Sequence, residues 1–433
     1  MDDAREAISG VLRGPFVSKI KYRTAVRWFD RHSGEHRDRL RMLQNTGELE
    51  VLERFLLSYL YWQLVEKERT QNEVLTHELD SAWEHLPEPM SELRQKMLDV
   101  VSAAKRTKRQ LEKVYGDTKV MKKVRAHAWK AAFGDTLYRA VDLPEEVIRD
   151  LDVLILGETG SGKERIAQAI MAGKFGAEPP ETVERNAAGF ARNLLDSELF
   201  GHVEGAFTGA SRDRAGAIAS SDGGCLFLDE VADLAPATQV KLLRVLETDE
   251  VRKVGGDESR SVDVRYISAT SEPIERKVEN GDFRRDLFER LAGFVIRIPP
   301  LRQQGDEIAR IGMKILDRWD EQWDVPVERR QIKEFLESRW AREYGWPGNV
   351  RELQSHLRRL ILGLPYGERQ ARQTGDGASH TAALPEDILN GTATEARVKR
   401  WYAKRVYEDV GEKKRVAHRL DITRGTLDRR LHG

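Results

Sequence analysis

A chain of 433 residues has room for about three domains of roughly 150 residues, each able to bury its own core. Its 72 Lys and Arg balance its 72 Asp and Glu, so net charge neither implies nor excludes a polyanionic partner. The longest stretch without a charged residue, Phe55 to Val65, falls far short of the roughly 20 residues that span a bilayer. The start, Met1-Asp2-Asp3-Ala4-Arg5-Glu6, lacks the basic and then apolar profile of a secretory signal, and Cys225 is the single cysteine. The expectation is a cytoplasmic chain in a reducing compartment, with no membrane partner.

Residues 1–115 are charged and helix-favouring. Phe55, Tyr59 and Trp62, flanked by Leu56 and Leu60, recur at three- and four-residue spacing and fall on one helix face. A core face is the ordinary reading of such a stripe, and a partner or ligand surface is the alternative. No acidic cluster of a phosphoacceptor kind and no repeat occurs here, so a helical regulatory region of open input, restraining assembly directly or through a partner protein or ligand, is expected.

Residues 116–301 alternate short β-rich runs with helical stretches, the pattern of a mostly parallel sheet covered by helices. Val153-Leu154-Ile155-Leu156, Cys225-Leu226-Phe227-Leu228 and Val264-Arg265-Tyr266-Ile267-Ser268 are the strand candidates, each followed by polar or glycine-rich residues where ligands sit in such sheets. Residues 302–364 turn helical, 365–394 are rich in Gly, Thr, Ala and Ser as a linker would be, and 395–433 form a basic module with 12 Lys and Arg against 6 Asp and Glu.

The first strand candidate runs into Gly157-Glu158-Thr159-Gly160-Ser161-Gly162-Lys163, followed by an amphipathic helix with Ile166, Ala167 and Ile170. This is a phosphate-binding loop in context. Its glycines let consecutive amides turn towards phosphate oxygens, the helix start adds positive dipole, and Lys163 supplies a point charge. Glu164 stands where a hydroxyl usually reaches magnesium, so the metal must lean on another carboxylate and on water. That carboxylate is expected at Asp229, and its neighbour Glu230 is placed to orient and deprotonate water; together they imply ATP and Mg2+ as cofactors.

Between these sites lies Gly205-Ala206-Phe207-Thr208-Gly209-Ala210, small residues around one Phe and one Thr, the make-up of a mobile loop tip. With this hexapeptide, GAFTGA, between loop and acidic pair, the sequence resembles the sigma-54-dependent enhancer-binding activators over most of residues 151–362. The resemblance implies an α/β AAA+ P-loop ATPase core with a helical lid, a helical amino-terminal region and a carboxy-terminal helix-turn-helix. It further implies that the hexapeptide contacts the sigma factor of the sigma-54 RNA polymerase holoenzyme. By the same resemblance Asn186, before Ala187-Ala188, hydrogen-bonds the catalytic Glu and holds it inactive. Thr270 belongs to a first sensor of the terminal phosphate, with Ser271 in place of the usual Asn. Arg284 and Arg290 in Phe283-Arg284-Arg285-Asp286-Leu287-Phe288-Glu289-Arg290-Leu291 match finger arginines that reach a neighbour's nucleotide, which implies self-association into a ring, usually a hexamer. Arg351, in Gly348-Asn349-Val350-Arg351, matches a second sensor at the start of a lid helix.

Lys413 to Leu431 reads as two short helices joined by a tight turn. Val416, Ala417, Leu420, Ile422, Leu427 and Leu431 face inward, Thr423 caps the second helix, and Arg424, Thr426, Arg429 and Arg430 are left for bases and phosphates of double-stranded DNA. It resembles a Fis-type DNA-binding domain. The sequence thus leads to an ATP-dependent activator that binds an upstream enhancer site and remodels sigma-54 polymerase; the alternative is a nucleotide-responsive DNA-binding regulator that does not remodel it.

Overall fold

The computed structural model describes residues 2–16, 19–32, 49–68, 90–175, 182–189, 192–323 and 329–362 and, towards the carboxyl end, 394, 397, 399–401, 403–404, 407, 412–419 and 422–432. The expected linker, 365–394, lies outside the described residues except for Thr394. The chain divides into two units, Met1–Tyr366 and Gly367–Gly433.

The first unit is built on five parallel strands, β1 (Val153–Leu156), β2 (Thr182–Asn186), β3 (Gly224–Asp229), β4 (Val264–Thr270) and β5 (Phe294–Arg297), in the order β2-β3-β4-β1-β5. The parallel α/β class read from the sequence is the class observed, with β3 and β4 each extending beyond their expected ends. Register is set by apolar pairs such as Val153 beside Ile267 and Phe294. Because strand side chains alternate, Val153 and Ile155 enter one apolar cluster while Leu154 and Leu156 enter another on the opposite face.

The first of these clusters includes the front of the chain. Helices α1 (Asp2–Leu12), α2 (Lys19–Arg31), α3 (Leu49–Tyr61), α4 (Met90–Glu112) and α5 (Lys119–Phe133) pack with α6 (Lys163–Met171), the helix that follows the phosphate-binding loop. Thr118 caps α5 by accepting the Met121 N–H at 3.1 Å, and Gly134, at φ 73°, ends it. The aromatic stripe belongs to this core: Phe55, Tyr59 and Trp62 are buried, and so is every residue from Phe55 to Val65. Burial therefore surrounds the second half of α3 and the π-helical turn Trp62–Glu66 as far as Val65, beyond the single face expected, while Glu50 and Arg54 at the start of α3 are exposed. Within this buried stretch Ser58 Oγ donates to Arg54 O at 2.8 Å and Gln63 Nε2 to Tyr59 Oη at 2.9 Å, while Gln63 Oε1 is buried without a partner among the described residues.

A third cluster joins Tyr115 to the lid, which includes α7 (Ile308–Trp323) and α8 (Asn349–Ile361). In the second unit, α9 (Lys413–Arg419) and α10 (Arg424–His432) share an apolar cluster of Ala403, Val416, Ala417 and Leu427, with Tyr407, Ile422 and Leu431 against it. Leu420 lies outside the described residues.

Candidate nucleotide site and loop

The carboxyl ends of four parallel strands converge. The phosphate-binding loop follows β1, Asn186 ends β2 in register with Asp229 at the end of β3, and Thr270 ends β4, where its carbonyl accepts the Gly157 N–H at 3.2 Å. A cavity of about 410 Å³ opens at this edge, lined by residues 159–165, Asn186, Asp229, Glu230, Gln304, Ile311, Val350, Arg351 and Gln354. Val114, Tyr115 and Met121, from the connection between α4 and α5 and the first turn of α5, complete its wall. The front of the chain therefore contributes an apolar wall that motif reading missed, because no short pattern marks it.

Lys163 is buried; its ammonium donates to Gly157 O at 2.9 Å and lies 3.4 Å from Glu230 Oε1. Gly162, at φ 103°, starts α6, and Gly160, at φ 76°, permits a close approach to the lid. A Cβ on Gly160 would lie 2.3 Å from Gly348 O, so no other residue fits without moving the lid. The Val350 N–H donates to Gly160 O at 3.1 Å from the other side.

Asn349 makes the second stitch. At φ 51° and fully buried, it accepts the Leu301 N–H at 2.7 Å through Oδ1 and donates from Nδ2 to Thr159 O at 3.0 Å and Glu158 Oε2 at 3.2 Å. Glu158 also receives both arms of Arg302, at 2.7 and 2.5 Å, and this holds its carboxyl below the usual range. Glu158, expected among the nucleotide contacts, is thus spent on the lid and does not line the cavity, nor do Gly157 and Thr270. Arg351 does line it.

Glu230, at φ 53°, turns its carboxylate into the site. Burial alone would push it up, but the Ser271 N–H, Lys163 and the Ser271 hydroxyl outweigh that and hold it below its ordinary value. Asp229 moves the other way, raised by burial and then by the charge of Glu230 beside it, despite Lys163. Asn186 does not restrain Glu230 as the resemblance implied. Its Nδ2 lies 3.4 Å from Asp229 Oδ2 and its Oδ1 accepts the Ala188 N–H at 2.9 Å, because the β2–β3 register sets it opposite Asp229. The partner of Glu230 is Ser271, the position where the sequence departs from the usual pattern.

No group of three or more His, Cys, Asp or Glu among the described residues could hold a metal alone. Magnesium suits this donor set nonetheless, since it binds through one or two carboxylates plus phosphates and water. Asp229 carries the unfavourable fields of Glu230 and Glu164, which a divalent cation would relieve.

Arg284 forms a two-armed pair with Asp286 at 2.7 and 3.1 Å, and Arg290 lies 3.7 Å from Asp152; neither lines the cavity of its own chain. The hexapeptide closes a hairpin whose two-residue strands, Gly201–His202 and Arg214–Ala215, pair antiparallel. Gly205 N–H donates to Ala210 O and Ala210 N–H to Phe207 O, both at 2.9 Å, leaving Thr208 exposed at the tip. Phe207 is half-buried and not fully presented, its ring edge-on to His202 at 5.0 Å. In the second unit, Thr423 Oγ1 accepts the Thr426 N–H at 3.2 Å, and Thr423 and Arg424 are exposed; the side chains of Arg429 and Arg430 lie outside the described residues.

These features define a parallel α/β phosphate-binding-loop domain of AAA+ type, with a helical lid and an exposed hairpin loop. Residues 135–297 match the sigma-54 interaction domain, in keeping with the resemblance of the chain to sigma-54-dependent enhancer-binding activators. The chain is 41% identical over 247 residues to the anaerobic nitric oxide reductase transcription regulator NorR of Salmonella dublin, covering 57% of this chain and 48% of that one. It is 42% identical over 254 residues to the hydrogenase transcriptional regulatory protein HoxA of Bradyrhizobium diazoefficiens, covering 57% and 50%. The chain thus spans about half the length of the curated relatives it matches. Among solved structures, NtrX from Brucella abortus in complex with ADP aligns at TM-score 0.47 and 25% identity, over 83% of this chain and 74% of that one.

Proposed function

We propose that this protein is an ATP-hydrolysing transcriptional activator that binds upstream DNA, assembles into a ring and uses hydrolysis to remodel sigma-54 RNA polymerase in the cytoplasm. The observation that carries the reading is the complete Gly205–Ala210 hexapeptide, held on a hairpin of the same domain as the nucleotide cavity.

The amides of residues 159–163 and the Lys163 ammonium bind the phosphates of ATP. Asp229 would hold magnesium together with the phosphates and water, and the ion would supply charge neutralisation on the transferred group. Glu230 is the base for the attacking water, ionised because Lys163 and Ser271 favour its charged form. Arg284 or Arg290 enters from a neighbouring subunit, which makes hydrolysis depend on the ring, usually a hexamer, and Arg351 links the nucleotide to α8. The change reaches the Phe207–Thr208 tip, which engages the sigma factor. Helices α9 and α10 act as a helix-turn-helix, with Arg424, Thr426, Arg429 and Arg430 facing DNA.

The test is phosphate release and nucleotide binding by the full chain. Glu230→Gln is expected to lose at least about a hundredfold in hydrolysis while still binding ATP, and Lys163→Ala to lose binding. Hydrolysis that persists in Glu230→Gln would remove Glu230 from the mechanism.

A further inference from the structure

A second and larger cavity, about 860 Å³, lies among α2, α4, α5 and the lid helix α7. Its lining mixes an apolar surface, including Phe16, Val26 and Leu111, with six cations against three carboxylates. Three of the cations are already paired: Lys108 with Glu66 at 2.8 Å, and Arg125 and Lys314 with Asp117 at 3.2 and 2.6 Å. The other three, Arg23, Arg27 and Lys122, have no carboxylate partner among the described residues. Arg23 and Arg27 stand one turn apart on α2, the spacing at which two guanidinium groups converge on one oxyanion. The volume is that of a small-molecule site, and unpaired cations beside apolar wall select a ligand with both properties.

We infer that this cleft is an effector site for a small organic anion bearing carboxylate or phosphate groups on an apolar body, and that its occupancy is felt at the nucleotide. The route is short. Val114 lines both cavities, and the next residue, Tyr115, lines the nucleotide cavity. Arg318 of α7 lies over the Tyr115 ring at 4.8 Å and donates to its hydroxyl at 3.0 Å, while Arg165 of α6 approaches the same ring at 5.8 Å. A ligand that shifts Val114 therefore acts on Tyr115, which bridges α6 and the lid helix α7. The inference requires nucleotide binding but neither hydrolysis nor remodelling.

The test is a fluorescence titration of the full chain with 8-anilinonaphthalene-1-sulfonate, an aromatic anion, with and without saturating ADP. Saturable one-to-one binding is expected, weakened at least tenfold by Arg23→Glu with Arg27→Glu. Val26→Trp, which fills the cleft without changing charge, is expected to abolish it, with unchanged circular dichroism in both variants. ADP is expected to change the dye affinity at least twofold, and the dye to change ADP affinity by the same factor, as linkage demands. Absence of saturable binding, binding indifferent to both variants, or stoichiometric displacement of the dye by ADP would overturn the site. Equal dye affinity with and without ADP would overturn the coupling.

Discussion

The main-chain N–H of Ser271 donates to Glu230 Oε2 at 2.8 Å, and the Ser271 hydroxyl lies 3.0 and 2.9 Å from the two carboxylate oxygens. This one residue meets both oxygens of the proposed base, so its hydroxyl competes with an attacking water for the carboxylate that faces the cavity. Ser271→Ala leaves the main-chain bond and removes the single hydroxyl proton shared between the two oxygens, a bond to a charged group worth about 1.5 kcal/mol. Basal ATP hydrolysis is expected to rise about tenfold, read as phosphate release at saturating ATP. A fall in kcat would mean that the serine orients Glu230 productively.

Asn349 ties the phosphate-binding loop to the lid through bonds to Leu301, Thr159 and Glu158. Asn349→Ala leaves the buried Leu301 N–H without its acceptor and sets alanine at φ 51°, a region that asparagine tolerates better. A loss of about 3 kcal/mol in the stability of the first unit is expected in urea titrations, together with weaker nucleotide binding. Unchanged binding would show that the stitch is not transmitted to the cavity.

Burial pushes the Asp152 carboxyl up to about 7, against the pull of Arg290 and the Tyr266 N–H. A carboxyl whose folded pKa is raised makes the native state bind more protons than the unfolded chain, so stability falls as pH rises from about 4 to about 7. The cost at pH 8 is on the order of 4 kcal/mol, about three pKa units at roughly 1.4 kcal/mol each. Asp152→Asn keeps an acceptor for Tyr266 and is expected to flatten this slope and to raise stability at pH 8. Thermal melts at pH 5 and pH 8 measure both.

The front of the chain shares one core with β1, β3, β4 and α6, with Met97, Val101, Ala104 and Leu111 among its buried members. Removing residues 1–115 strips the apolar cover from α5 and α6, the helices that lie on that face of the sheet. The expected product is insoluble or melts far below the intact chain, so a freed and hyperactive ATPase is not what this truncation gives. A soluble fragment with raised hydrolysis would instead establish the front as a detachable restraint.

The nucleotide loop, the acidic pair and the three central strands were legible because each is a local pattern: a glycine turn before a helix, or acids after an apolar run. Asn186 was misjudged because its partner depends on the β2–β3 register, which sequence spacing does not reveal. Ser271 could be flagged as a departure, but its bond to Glu230 needs β3 and β4 side by side. The stripe on α3 gave its periodicity yet not its surroundings, since the burial of every side chain from Phe55 to Val65 is decided by helices far away in sequence. Val114 and Tyr115 carried no signal, and Asn349 stood in the matched lid segment without its bonds to Leu301 and Thr159 being readable, because each acts across elements joined only by the fold.

The most direct test of the central claim is open-complex formation at a sigma-54 promoter with purified holoenzyme, ATP and either the intact protein or Thr208→Ala. ATP-dependent opening is expected of the intact protein, and the Thr208→Ala variant is expected to hydrolyse ATP at an unchanged rate yet open nothing, because Thr208 stands exposed at the loop tip and away from the nucleotide cavity. Hydrolysis by the intact protein without opening, or equal opening by the variant, would contradict it and favour a nucleotide-responsive regulator that does not remodel the polymerase.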